Sequence, residues 1–323
     1  MTNLIEIKRK TDVLYVYWAL TDFCNFRCSY CPRELHSGAY HNKILTGFPT
    51  DDEIRIFLDR LINIHAKDKF LVVFLSGGEP TLHPMYKEIV NTLHPHGIVG
   101  TVSNGSRSVD WWTELNHLPD IMVISLHPEW TKINKINELG EFLLDNEVEL
   151  SFNMMSDNTK WDRVQEMYQQ LTPRLQALVN AKVLTNQSGG IADGVHWDYS
   201  PEQLEYINNI HATEKQSRRR FNNINIGSDI KYSDGTVEEL RNPFNLINTY
   251  QHNFKGWECN AGKTDISITY EGFAYSAGCR IKRLGRINTF KLLDQPITCP
   301  KQWCMCIGDI SISKKKPTLS PGQ

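Results

Sequence analysis

The sequence predicts an α/β fold, a partial (β/α)6 barrel followed by a small β-rich domain. Three observations support this prediction. The first two-thirds of the chain alternates short apolar runs with amphipathic helical patterns, which is typical of βα units and a parallel sheet. Six such units follow one another. Past about residue 215, hairpin patterns replace them. The 323 residues suffice for one large domain, or for a large domain and a smaller one.

The predicted strands of the barrel are short and apolar, and they cover residues 13–20, 70–76, 98–103, 121–126, 147–153 and 178–183. The first helix begins after Thr50, which forms a capping-box pattern with Glu53 ahead of the apolar Ile54, Phe57 and Leu58. Four further helical patterns cover residues 85–93, 131–144, 161–171 and 201–210. This order of elements predicts a TIM-like barrel of six βα units.

Two hairpins are predicted in the last third of the chain. Residues 224–230 and 231–240 turn at Asp234-Gly235, and residues 266–270 and 273–276 turn at Glu271-Gly272. Hairpins do not extend a parallel barrel, so they predict an appended domain. The expected domains are the barrel over 1–214, the appended domain over 215–313 and a flexible tail over 314–323.

Composition excludes several classes of function. The 35 basic residues balance 37 acidic ones, which argues against nucleic-acid and anionic-membrane binding. The first twelve residues lack the apolar segment of a secretory signal, and the longest apolar run, 70–75, is too short to span a bilayer. Eight cysteines without an export signal indicate metal or redox chemistry in a reducing compartment, so a cytoplasmic location is expected.

Three of the cysteines, Cys24, Cys28 and Cys31, form a CxxxCxxC triplet. Iron–sulfur clusters normally take four thiolates, so three closely spaced thiolates can hold three irons of a four-iron cluster and leave the fourth iron open. A zinc site is the alternative, although zinc spacings usually combine a CxxC pair with a second pair of ligands. The triplet therefore favours an iron–sulfur cluster with one free coordination position.

Polar motifs follow successive strands of the predicted barrel. The cysteine triplet follows the first strand, Gly77-Gly78-Glu79 the second, Asn104-Gly105 the third and His127 the fourth. Active sites of such barrels lie at the C-terminal ends of the strands. The motifs are therefore expected to meet at one site. Ser125 and Asn153, at the ends of the fourth and fifth strands, are further candidates there.

The chain resembles the radical S-adenosylmethionine (SAM) enzymes from residue 13 to about residue 310. The resemblance rests on the triplet and on Ser76-Gly77-Gly78-Glu79-Pro80, which is similar to the GGEP motif that binds the methionine amino group. It implies that Tyr30 lies near the adenine and that Ser103 and Asn104 lie near the ribose and carboxylate. It also implies that the cluster's open iron binds S-adenosylmethionine and that reductive cleavage yields a 5′-deoxyadenosyl radical.

The other five cysteines occupy the appended domain, which resembles the auxiliary-cluster domains called SPASM or, when shortened, twitch. Five cysteines cannot fully ligate two clusters, so one auxiliary 4Fe-4S cluster is expected. Cys259 and Cys279 flank a hairpin and are the expected ligands, together with two of Cys299, Cys304 and Cys306. A four-cysteine zinc site is the alternative.

The predicted activity is abstraction of hydrogen from a substrate C–H bond by an oxidoreductase of the radical SAM type. A single auxiliary cluster resembles that of the aminocyclitol dehydrogenases, which implies oxidation of a small hydroxylated, sugar- or cyclitol-like substrate. Modification of a ribosomally made peptide and a non-catalytic metal-binding role are the alternatives. A flavodoxin or ferredoxin is the expected electron donor. His127 is a candidate ribose or substrate contact, whereas Asp265 and Asp309 are not distinguished as proton acceptors.

Overall fold

The structure, a computed structural model, describes residues 3–31, 47–184, 198–212, 224–240, 243–304 and 306–317. Its strands are β1 Leu4–Arg9, β2 Val13–Thr21, β3 Phe70–Gly77, β4 Gly97–Ser103, β5 Ile121–Leu126, β6 Glu149–Met155, β7 Val179–Lys182, β8 Ser228–Tyr232, β9 Val237–Glu239, β10 Glu258–Cys259, β11 Asp265–Ile268, β12 Phe273–Ser276, β13 Arg283–Arg286, β14 Ile297–Thr298 and β15 Lys314–Lys315. Its α-helices are α1 Asp51–Arg60, α2 Tyr86–Leu93, α3 Val109–Thr113, α4 Ile133–Asp145, α5 Trp161–Gln170, α6 Pro173–Gln176, α7 Pro201–Asn209, α8 Phe244–Asn248 and α9 Ile307–Ile310.

All six predicted barrel strands are confirmed as β2 to β7, with ends that differ by no more than two residues. The capping box before α1 is also confirmed, because Thr50 Oγ1 accepts from Glu53 N and the Glu53 carboxylate accepts from Thr50 N. Buried Ile54, Phe57 and Leu58 form the apolar face of that helix. Helical periodicity and capping therefore determine where this helix begins.

The chain forms two compact units. The first unit contains residues 1–18, 49–73 and 223–323, and the second contains residues 19–48 and 74–222. These ranges differ from the predicted domains, whose boundary at 214/215 lies outside the described residues. Strands β2 and β3 each begin in the first unit and end in the second.

The second unit is an α/β unit built on a mostly parallel sheet. The ends of β2 and β3 are followed in the sheet by β4, β5, β6 and β7, and the last four strands are parallel. Gly100 of β4 lies against the Phe74 ring, at a distance that leaves no room for a larger residue. The described part of the sheet is open at β7. The α/β class is confirmed, and the partial barrel remains a prediction.

The first unit contains two groups of strands. One is a six-stranded sheet in the order β14-β10-β15-β1-β8-β9. In the other, β11 pairs in parallel with the first half of β2 and antiparallel with β12, which pairs with β13. Both predicted hairpins are confirmed as β8–β9 and β11–β12. An apolar cluster that includes Ile7, Phe254, Trp257 and Ile310 supports the six-stranded sheet.

The end of the chain differs from the expected flexible tail. Lys314 and Lys315 form β15 between β1 and β10, with Lys314 opposite Ile7 and Cys259. The Lys314 side chain is only 4% exposed. Residues 318–323 of the predicted tail lie outside the described residues. Lysines favour solvent, but successive side chains of a strand point to opposite faces, so Lys314 is buried and Lys315 is exposed.

An ion pair is buried inside the first unit. Arg9 Nη2 lies 2.6 Å from Asp265 Oδ1, and their side chains are 6% and 0% exposed. Thr264 Oγ1 donates to the other oxygen of Asp265, and the Arg9 guanidinium lies 4.9 Å from the Tyr15 ring centre. Burial removes both charges from water, so each depends on the other for compensation.

Replacing Arg9 by Met is expected to lower the free energy of unfolding by about 3–5 kcal/mol, because the buried Asp265 carboxylate loses its counter-charge. Lys10→Met is the matched control. Its ammonium pairs with Asp229 and Glu239 at the surface, so a much smaller loss is expected. Urea unfolding under anaerobic conditions measures both. Equal losses would contradict this account of the pair.

Candidate functional site

The CxxxCxxC triplet lies in the loop that follows β2, within the second unit. Cys28 is buried and packs with Tyr30 and Leu184, and the partly buried Cys31 contacts the same cluster. Backbone bonds shape the loop, since Phe26 N donates to Cys24 Sγ at 3.3 Å and Cys31 N to Cys28 O at 3.1 Å. The three thiols therefore lie on one folded loop in a partly apolar setting.

Burial raises the pKa of all three thiols. It raises the pKa of Cys28 to about 12 and that of Cys31 to about 11, and it also raises that of Cys24. The other two cysteines add to the shift at Cys28, and Cys24 adds to the shift at Cys31, so the three sulfurs are electrostatic neighbours. Thiolates are the metal-binding form, so metal binding at this loop must release protons.

The two glycines after β3 lie directly against the cysteine loop. Gly78 N donates to Thr21 O at 2.8 Å, and Glu79 N donates to Phe23 O at 2.7 Å. A Cβ on Gly78 would lie 2.2 Å from Phe23 O, and one on Gly77, whose φ is +116°, 2.4 Å from Thr21 O. Only glycine permits this approach. The structure thus shows both glycines in contact with the end of β2 and the cysteine loop, and their predicted contact with a ligand stays a prediction.

The Glu79 carboxylate joins the loops that follow β3 and β4. Its side chain is 0% exposed. Oε1 accepts from Thr81 N, Thr81 Oγ1 and Ser103 Oγ at 3.2, 2.6 and 2.9 Å, and Oε2 accepts from Asn104 N at 2.7 Å. Burial raises the pKa of Glu79, and these hydrogen bonds oppose the rise. Its predicted contact with an ammonium group stays a prediction.

Asn104, in the loop after β4, contacts the loop that carries the cysteine triplet. Its Nδ2 donates to Asn25 Oδ1 at 2.9 Å and lies 3.6 Å from Cys24 Sγ. Gly105 adopts φ +67°, and a Cβ there would lie 2.7 Å from Ile136 Cδ1. Ser76 is the last residue but one of β3, and Pro80 starts a short 3-10 turn.

Tyr30 and His127 form a close pair beside the cysteines. Their rings stack with centres 5.9 Å apart, and Tyr30 Oη hydrogen-bonds His127 Nδ1 at 2.6 Å. Burial lowers the pKa of His127 to about 4, so its imidazole is neutral at neutral pH. Ser125 and Asn153 lie opposite each other on β5 and β6 near the same strand ends. Ser125, His127 and Asn153 thus lie at or near the C-terminal ends of β5 and β6, and Tyr30 contacts His127 from the loop after β2; their roles at a SAM site stay predictions.

Glu129 is a residue of this region that the sequence reading missed. Its carboxylate accepts from Ser29 N at 3.0 Å and Ser29 Oγ at 2.6 Å, inside the triplet loop. Lys160 lies between Glu129 and the fully buried Asp157, at 3.1 and 3.2 Å. Its position two residues after His127 was the one available signal. These contacts fix the loop between Cys28 and Cys31.

The five remaining cysteines line one cavity of about 230 Å³ within the first unit. Cys259 and Cys299 are buried, and Cys279 and Cys304 pack against the same apolar cluster, whereas Cys306 is exposed. The sequence reading thus grouped these cysteines correctly. Asp309 also lines the cavity, and its Oδ1 accepts from Gly278 N at 2.9 Å. Asp265 does not line it.

Burial raises the pKa of Cys279 and of Cys304 to about 12, and the Asp309 carboxylate adds to both shifts. Burial also raises the pKa of Cys259 and Cys306. Lys314 acts in the opposite direction and lowers the pKa of Cys259 and Cys304. Over the described parts of the chain, no group of three Cys, His, Asp or Glu side chains is arranged to hold a single metal ion.

Comparison with known families identifies the region that carries the triplet. Residues 18–176 match the family model of the radical SAM superfamily. Residues 18–176 form a radical SAM domain. This range contains every predicted SAM-site residue and the first three cysteines, and the prediction of such a domain is confirmed. The SPASM or twitch character of the appended region stays a prediction. No described helix is long and apolar enough to cross a membrane.

Related proteins match a limited part of this chain. It is 33% identical over 107 residues to GTP 3′,8-cyclase of Klebsiella pneumoniae subsp. pneumoniae, covering 31% of this chain and 30% of that protein. It is 36% identical over 90 residues to the probable GTP 3′,8-cyclase of Thermococcus kodakarensis, covering 28% and 26%. The match thus spans less than a third of the length of these relatives.

A solved structure described as native anSMEcpe with bound AdoMet matches 85% of this chain and 78% of its own, with a TM-score of 0.52 and 14% identity. The same protein with bound AdoMet and Kp18Cys peptide gives a TM-score of 0.50 and 13% identity over the same shares. At this identity the likeness concerns the fold alone.

Gly78→Ala is expected to remove the first cluster selectively, because its Cβ would collide with the Phe23 carbonyl and displace the cysteine loop. Anaerobic reconstitution should then incorporate about four fewer irons per chain than wild type. Gly227→Ala is the control, since its nearest obstacle is the movable end of the Asn225 side chain. Undiminished iron in Gly78→Ala would contradict the predicted role of this contact.

Proposed function

We propose that the protein binds S-adenosylmethionine on an open-site 4Fe-4S cluster at Cys24, Cys28 and Cys31 and abstracts hydrogen from a substrate C–H bond. One observation carries this proposal above all. The glycine loop after β3 and the Asn104 loop after β4 both contact the triplet loop, through Gly78 and through Asn104 Nδ2. Three separate motifs of a radical SAM domain therefore support one site.

When bound, the cluster and S-adenosylmethionine supply one-electron cleavage of the sulfonium and a radical that takes hydrogen from the substrate. Cys24, Cys28 and Cys31 would hold the irons as thiolates, and the loop that carries them contacts the glycine loop. Glu79 fixes that loop to Ser103 and Asn104. The neutral His127 and the Tyr30 hydroxyl form a buried wall that adds no charge.

We assign the auxiliary 4Fe-4S cluster to Cys259, Cys279, Cys299 and Cys304, with Cys306 as the spare thiol. Cys259 is an electrostatic neighbour of each of the other three. All four belong to or pack against one apolar cluster. Cys306 also lines the cavity and acts electrostatically on Cys304, but it is exposed, lies beside Gly278 and Asp309, and is not part of the apolar cluster. Full thiolate ligation of such a cluster needs only four cysteines.

Oxidation of a small hydroxylated substrate, with the auxiliary cluster as electron acceptor, is the proposed reaction. It is supported by a cavity that provides thiols for one further cluster. The name of the relatives, GTP 3′,8-cyclase, supports a second candidate, rearrangement of a hydroxylated purine nucleotide. A reduced flavodoxin or ferredoxin is the proposed electron donor.

Iron and sulfide counting tests the two clusters. Anaerobically reconstituted wild type is expected to hold about eight irons, and Cys24→Ala/Cys28→Ala/Cys31→Ala about four, because each cluster has its own thiolates. Zinc in place of iron in oxygen-free preparations would overturn the proposal.

The ligand assignment predicts opposite results for two neighbouring cysteines. In the triple-alanine background, Cys304→Ala should lose most of the remaining four irons, whereas Cys306→Ala should keep them. Electron paramagnetic resonance of the reduced cluster is the second measurement. Loss of iron in Cys306→Ala with retention in Cys304→Ala would reverse the assignment.

The activity is tested by 5′-deoxyadenosine formation under dithionite, which a non-catalytic metal-binding protein would not give. Deuterated aminocyclitols or sugars, GTP and peptides are then supplied in parallel. Deuterium in 5′-deoxyadenosine from the cyclitol or sugar alone supports the proposed reaction. Transfer from GTP alone supports the second candidate, and transfer from the peptide overturns both.

A further inference from the structure

Lys314 places a positive charge in the wall of the five-cysteine cavity. Its side chain is 4% exposed and lines that cavity. In the sheet Lys314 lies directly opposite Cys259. Its Nζ donates to Asp309 O at 2.6 Å and to Ile310 O at 3.1 Å, and it lies 4.3 Å from the centre of the Phe254 ring. The ammonium is therefore held in a fixed position.

This buried ammonium has neutral partners. Its hydrogen-bond acceptors are backbone carbonyls, and no carboxylate of the described residues forms an ion pair with it. The neighbouring Lys315 shows the contrast, since it is exposed and pairs with Glu258 at 3.1 Å. Burying a cation costs several kcal/mol unless an anion compensates it. Carbonyl dipoles and an aromatic face offset that cost only in part.

The cluster proposed for this cavity would supply the missing negative charge. Four thiolates carry four negative charges, and a thiolate-bound cluster keeps a net negative charge. The other charged groups that line the cavity are Asp309, whose carboxylate adds negative charge, and Lys301, which is exposed. Lys314 is thus the one buried cation among the described residues that line this cavity. Net charge is among the factors that set the reduction potential of a cluster.

We infer that Lys314 is the counter-charge of the auxiliary cluster and raises its reduction potential, so that it accepts an electron more readily. This inference rests on the proposed auxiliary cluster. It identifies Lys314 as a positioning residue that acts on the cluster through its charge. It also explains why a lysine at this point of the chain is buried in a sheet, while the next lysine is exposed.

The test uses the full chain with Cys24→Ala/Cys28→Ala/Cys31→Ala, so that only the auxiliary cluster is present. Lys314→Met, Lys314→Arg and the control Lys315→Met are added separately. Iron and sulfide are counted, and the midpoint potential is measured by electron paramagnetic resonance in a redox titration. At the potential where the parent is half reduced, Lys314→Met should show about a tenfold lower ratio of reduced to oxidised cluster, a shift of about 59 mV.

Lys314→Arg and Lys315→Met should keep the parent's potential and iron content. Loss of the cluster in Lys314→Met, with retention in Lys314→Arg, would also support the inference, because arginine restores the charge. An unchanged potential in Lys314→Met with full iron would overturn this inference alone. A parent without iron and sulfide would overturn the auxiliary cluster itself, and with it this inference.

Discussion

The first thiol site depends on a carboxylate that solvent does not reach. Glu79 accepts four hydrogen bonds from the loops after β3 and β4, and its own amide is bonded to the loop after β2. An unpaired carboxylate at this depth would be unfavourable, so the three loops can fold only together. Sheet topology brings these loops to one edge, and the buried acid determines their spacing. The position of the three cysteines follows from that arrangement of loops.

The two thiol sites use different electrostatics. Around the triplet, the neighbouring titratable groups are the neutral His127, the Tyr30 hydroxyl and two carboxylates, Glu79 and Glu129, which accept hydrogen bonds from the surrounding loops. Around the five cysteines, a buried ammonium and a buried carboxylate face the same cavity. The five-cysteine cavity therefore has a buried cation in its wall, Lys314, beside the Asp309 carboxylate.

The sequence predicted the six strands and both hairpins because apolar periodicity and turn residues are local signals. It also predicted which polar loops meet, since parallel strands place their C-terminal ends together. It did not predict β1 and β15, because their charged side chains hide the alternation of buried and exposed positions that indicates a strand. The buried partners of Glu79 and Lys314 were unpredictable for a different reason. From sequence alone, a carboxylate or an ammonium is predicted to be solvated. Its buried donors, acceptors and rings come from residues far apart in the chain, so the sequence pattern does not reveal them.

The six-stranded sheet pairs strands that lie far apart in the sequence. Strand β1 lies between β8 and β15, and β15 holds the strand that carries Cys259. During synthesis, β1 can pair with β15 only after residues more than three hundred positions later have been made. Every described residue of the triplet site has emerged long before. The triplet loop can therefore fold on a growing polypeptide before β15 is made, whereas the wall of the second cavity is complete only after Lys314 has been added.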